Sequence, residues 1–78
     1  METKSALRAF TDLFQENRRL QKITKAKILN NMGCALWGLG YREQAAERFE
    51  KALKTVPDFF YASSNLSELK SQGVQAAQ

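Results

Sequence analysis

The stretch that most constrains this chain runs from Lys27 to Pro57, where two helical patterns flank a Gly40-Tyr41 joint. In the first, over about 25–39, Ile28, Leu29, Met32, Ala35, Leu36 and Leu39 recur at helical spacing. In the second, over about 42–55, Ala45, Ala46, Phe49, Ala52 and Leu53 share one face. Gly40 tolerates the left-handed turn that ends many helices, and Pro57, which has no N–H to donate, blocks continuation of the second helix. The expected product is an antiparallel helical hairpin.

Gly33 lies in the middle of the first pattern, where glycine costs roughly 1 kcal/mol relative to alanine. A close approach by a second backbone would explain it. Ala45 is the small residue expected to meet it, with Leu36 and Phe49 filling the space further out.

The run Leu29-x2-Met32-Gly33-x2-Leu36, then Gly40, then Ala45-x3-Phe49-x2-Ala52 and Pro57 resembles the tetratricopeptide repeat family. That family's pattern is Trp-x2-Leu-Gly-x2-Tyr, Ala-x3-Phe, then Ala and Pro within about 34 residues. Leu29, Met32 and Leu36 replace the family's Trp, Leu and Tyr, and Arg42 stands where a tyrosine is usual, with Tyr41 one position early. The resemblance covers one complete repeat at about 25–58, less than half of the chain. It implies a ligand segment on the concave surface lined by the first helix, whose positions map onto Lys27, Asn30, Cys34, Trp37 and Gly38. One subset of the family clamps a C-terminal carboxylate with lysine and asparagine. Those positions hold Asn30 and Cys34 here, so no such clamp is implied. Spacing alone also puts Asn30, Cys34 and Trp37 on one face, expected to differ from the Met32/Leu36 packing face. Trp37 is then either a partner platform, a role in which tryptophan is enriched, or a residue packed within the chain.

Before the hairpin, Ala6, Leu7, Phe10, Leu13 and Phe14 form an apolar stripe with Thr3 as expected N-cap. Ala6-x3-Phe10-x2-Leu13 repeats the spacing of Ala45-x3-Phe49-x2-Ala52. It is either the second helix of a degenerate earlier repeat or an ordinary amphipathic helix covering the hairpin. Arg18, Arg19, Lys22, Lys25 and Lys27 follow with no acid among them, and Thr24 is placed to cap the next helix. Residues 1–27 hold seven basic and three acidic side chains and residues 28–78 hold five of each, so the whole net charge of +4 lies in the first third. After Pro57, Asp58 is the expected N-cap of a last helix with Phe59, Ala62, Leu66 and Leu69 buried and Gly73 ending it. Its serines fit the soluble outer face of a helix that closes a repeat array, and 74–78 read as a polar tail.

At 78 residues the chain is one domain, and so short a chain buries only about 60–65% of its unfolded surface. With no histidine and one cysteine, intrachain disulfides are excluded and common zinc patterns are absent. No histidine is present for general-base work, and no phosphate-binding glycine loop or activated nucleophile is recognisable. The reading is therefore not an enzyme, with no cofactor and no metal. Cys34 fits a small helix residue in a reducing compartment. No apolar run reaches the roughly 18 residues of a membrane span, and the charged N-terminus does not fit a secretory signal, so a cytoplasmic location is expected.

Binding is the remaining class. Phe59-Phe60-Tyr61 spread round a helix too widely for all three to face one core, which leaves Phe60 and Tyr61 either over the end of the second hairpin helix or against a partner. The basic run is open to three readings: a solvated face, contact with an acidic protein, or nucleic-acid contact, the last weakened by the absence of interleaved aromatics. The expected fold is all-α with four helices near 4–22, 25–39, 42–55 and 59–72. In outline it has an N-terminal basic amphipathic helix (1–24), the hairpin (25–57), a capping helix (58–73) and a tail (74–78). The expected function is a non-catalytic protein-interaction module, such as an adaptor, assembly factor or small chaperone, in a homo-oligomer or larger complex. The alternative is a basic helical nucleic-acid binder.

Overall fold

The computed structural model describes residues 2–73. The fold is all-α, and among the described residues there are three helices: α1 (Glu2–Gly38), α2 (Arg42–Thr55) and α3 (Phe60–Ser71). The two expected N-terminal helices are one. Thr24 does not cap a new helix: its Oγ1 donates to the Leu20 carbonyl at 2.9 Å, one turn back, and Thr11 does the same to Leu7 at 2.9 Å. With hydroxyls satisfied inside the helix and no Gly or Pro between Leu20 and Leu29, nothing local breaks the run. Thr3, expected as the N-cap, lies inside α1. The proposed tail at 74–78 lies outside the described residues.

The α1–α2 joint follows the sequence. Gly40 takes φ +91°, Tyr41 N donates to Leu36 O at 2.9 Å, and Gly40 N donates to Trp37 O at 2.9 Å. These two bonds satisfy carbonyls that the helix end would leave orphaned. The second joint is tighter than expected. Val56 N reaches Ala52 O at 2.9 Å and Phe59 N reaches Val56 O at 3.0 Å, so the turn carries the chain through Pro57 and Asp58, and Phe59 occupies the N-cap position. Asp58 is therefore not the cap, and α3 has no side-chain cap bond.

The core is built from small residues. Ala26, Ala45, Ala46, Ala52 and Ala62 are fully buried with Phe49 and Leu69, and Phe59 and Leu66 are nearly so. Gly33 is close-packed, but not against Ala45. A Cβ there would lie 2.5 Å from Cε1 of the Phe49 ring, so the missing side chain makes room for a phenyl group rather than a backbone. Trp37 meets that ring edge-on, with centroids 6.2 Å apart at 73°.

The inward face of α1 also differs from expectation. Ala26, Asn30 and Gly33 are buried, with Leu29, Leu36 and Trp37 packed beside them, whereas Ile28, Met32, Ala35 and Leu39 are exposed. The Asn30–Trp37 face is thus the packing face. Large residues at Ile28 and Met32 would hold α2 away, while alanine, asparagine and glycine let it approach. Further along, α3 packs on α2 and also reaches α1, where Asn65 Nδ2 donates to Asn30 Oδ1 at 3.0 Å. The alternative in which the N-terminal region covers the hairpin does not hold, since every side chain from Ala6 to Lys22 is exposed. The result is a rod of 59 × 18 × 18 Å whose length matches about 55 Å for 37 helical residues. No described helix is long and apolar enough to cross a membrane.

Candidate functional site

Only part of the expected site set comes together. Asn30 is buried and hydrogen-bonded to Asn65, so its carboxamide serves the α1–α3 contact. Cys34 is exposed, with Asn65 Nδ2 3.5 Å from its Sγ. Trp37 is half-buried on Phe49, which is the internal-packing alternative. Lys27 and Gly38 are exposed, and Gly38 has open space where a Cβ would go. None of these five positions lines either of the two depressions described next.

The two other candidate groups meet instead. Halfway along α1, Arg19, Lys22 and Ile23 form one wall of a cleft of about 400 Å³, and the turn at 55–61 forms the other. Phe60 and Tyr61 edge it at 71% and 64% exposure. Their rings lie 6.2 Å apart, and Tyr61 also leans on buried Phe59 at 5.6 Å, which anchors the aromatic wall to the core. Ile23 is the apolar floor on the α1 side and is only half-exposed.

The basic cluster divides around the helix. Arg18, Arg19 and Lys22 line a second, shallow depression with Gln15, and Arg18 lies 5.9 Å over the Phe14 ring. Lys27 is rotated from Lys22 by roughly 140° about the helix axis. The cleft therefore receives two cations rather than five, with Arg18 and Lys25 close by on the same helix. Rotation at 100° per residue would have shown this separation from the sequence. The meeting of 19–23 with 55–61 had no local signal.

Chemically the cleft offers two exposed cations, two aromatic faces and an aliphatic floor. It suits a ligand carrying both carboxylate or phosphate groups and apolar surface. Each exposed ion pair contributes only about 0.2–1 kcal/mol, so the aromatic contacts must supply much of any affinity. Among the described residues no three His, Cys, Asp or Glu side chains gather as a metal site. No protein-family model, curated protein or solved structure matches this chain.

Proposed function

We propose that this chain is a non-catalytic, cytoplasmic protein-interaction module, an adaptor or assembly factor built on a diverged tetratricopeptide-type hairpin. It holds a partner segment in the cleft between Arg19/Lys22 and Phe60/Tyr61. The observation that carries this reading is the pairing of two cations with two largely exposed aromatic rings across one cleft. Exposed aromatics on a small domain are costly in solution and characteristic of contact surfaces. The preferred ligand is an acidic segment with bulky apolar residues, because its carboxylates match Arg19 and Lys22 while its apolar side chains cover Phe60, Tyr61 and Ile23. The hairpin spacing around Gly33, Gly40 and Phe49 supports the repeat-like part of the reading.

The test is fluorescence anisotropy with a labelled acidic amphipathic peptide and a basic peptide of the same length. The acidic peptide binds. Arg19→Glu with Lys22→Glu, and separately Phe60→Ala with Tyr61→Ala, each weaken it at least tenfold while far-UV circular dichroism is unchanged. Equal binding of both peptides, or binding indifferent to the aromatic pair, contradicts the proposal.

One observation favours a second reading. The aromatic rings missing from the basic run in sequence are supplied beside it by the fold, and stacking rings next to cations are what single-stranded nucleic acid needs. A labelled single-stranded oligonucleotide that binds more tightly than the peptide, with affinity falling steeply with salt, assigns the cleft to nucleic acid. No binding at low salt removes that reading.

A further inference from the structure

On the side of α1 away from the core, Leu7, Phe10, Phe14, Asn17, Gln21, Lys25, Ile28, Met32 and Ala35 follow one another at steps of three and four, and all of them are exposed. Leu39 continues the line at 72% exposure, and Phe10, Leu7 and Phe14 are 69%, 62% and 62% exposed. At 100° per residue these positions hold to one side of the helix over its whole length, opposite to Ala26, Asn30 and Gly33. This face is distinct from the cleft and does not depend on the function proposed for it.

The face is its own complement. Leu7 and Ala35, Phe10 and Met32, Phe14 and Ile28, and Asn17 and Lys25 lie at equal distances either side of Gln21. Isologous pairing about a two-fold axis requires this property, because residue i of one copy must meet residue j of the other and the reverse. We infer that two copies of this chain pair antiparallel through the outer face of α1, with the axis at Gln21. Phe10 of each copy then lies beside Met32 of the other, Phe14 beside Ile28, and Leu7 beside the small Ala35. The Asn17 side-chain oxygen accepts from the Lys25 ammonium of the other copy. The two apolar blocks are separated by a polar centre, which fixes the register: a slip of one heptad sets Phe14 against Gln21 in one direction, and Met32 and Ile28 against Asn17 and Gln21 in the other.

Area supports the same occupant. The chain exposes 6097 Å², whereas a compact protein of 8.9 kDa exposes about 4800 Å². The difference exceeds the ~800 Å² that each partner contributes to a standard interface. The radius of gyration of 17.1 Å, against about 11.5 Å for a compact chain of this length, shows that the excess area goes with an elongated shape. A parallel pair would set each bulky aromatic against itself. The antiparallel pair brings Arg18 and Lys25 of both copies close to the axis at Gln21, so screening by salt tightens it.

Light scattering over a dilution series reads the mass of the full chain. The pairing predicts a doubled mass that falls to 8.9 kDa on dilution. The midpoint moves to several-fold lower concentration between about 0.1 M and about 1 M salt, as the screening length falls from ~10 Å to ~3 Å. Phe10→Asp removes the dimer with helicity intact. On a Cys34→Ser background, Gln21→Cys cross-links to itself on mild oxidation. Phe10→Cys does not cross-link to itself, but does so with Met32→Cys on another copy. A monomer at every concentration assigns the face to a different protein and overturns the inference. So does self-cross-linking of Phe10→Cys, which means parallel pairing, or a dimer indifferent to Phe10→Asp.

Discussion

The two halves of α1 belong to one unbroken helix but live in different surroundings. From Ala26 to Gly38 one face offers alanine, asparagine and glycine, and α2 and α3 close over it. From Ala6 to Lys22 the apolar positions are mostly leucine and phenylalanine, and all of them are exposed. Small residues on a helix make a groove that a neighbour can enter. Large residues make ridges that need a groove elsewhere. Phe49 entering the space left at Gly33 is the first case, and Phe10 and Phe14 are the second. Packing in this molecule therefore follows the distribution of side-chain size along α1 as much as its hydrophobic period.

The contrast is broken most severely at Phe49. Replacing it by alanine removes the ring that touches Gly33 and Trp37 and is expected to cost about 3–5 kcal/mol, much of the stability of so small a core. The matched change Phe10→Ala, at an exposed site, is expected to stay within about 0.5 kcal/mol for the monomer. Urea unfolding of both variants at low protein concentration checks the pair, and equal losses would erase the distinction between the halves. Next is Asn65→Ala, which leaves the buried Asn30 oxygen without its donor and is expected to cost about 1–3 kcal/mol. The same titration reads it. Two glycines of α1 are expected to give smaller effects than Asn65, of opposite sign to each other. Gly33→Ala gains helix propensity but drives a Cβ into the Phe49 ring, for a net loss of about 1 kcal/mol. Gly38→Ala, with nothing within 4 Å, gains about 0.5–1 kcal/mol. Opposite shifts in melting temperature are the expected signature.

The legible parts of the fold were local. The turn at Gly40 depends on one residue that accepts positive φ and on hydrogen bonds within five positions of it. The choice between two apolar stripes on residues 28–39 was not legible by periodicity, because Leu29/Leu36 and Ile28/Met32 fit a helix equally well. The choice was made by Ala26, Asn30 and Gly33, whose importance is that they take up little space. The continuity of α1 was hidden because Thr24 can cap a helix or bond back to Leu20. The cleft is half legible: the run of like charge marks Arg19 and Lys22, and helical rotation marks Phe60 and Tyr61, but their meeting depends on how α1 and α2 pack. The outer face of α1 is legible in the sequence only in pieces, as a stripe at 6–14 and an expected core at 28–39. Only an unbroken helix joins them.

The C-terminal half of α1 is held by this chain, and the pairing inferred above leaves the N-terminal half to be held by a second copy. Amide hydrogen exchange, resolved by residue and repeated across protein concentrations, separates the two halves. Strong protection is expected over 26–38 at every concentration, with protection over 7–20 that is weak when dilute and rises as the second copy associates. Protection over 7–20 that is already full in dilute solution, or that stays absent at the highest concentration, would contradict the pairing.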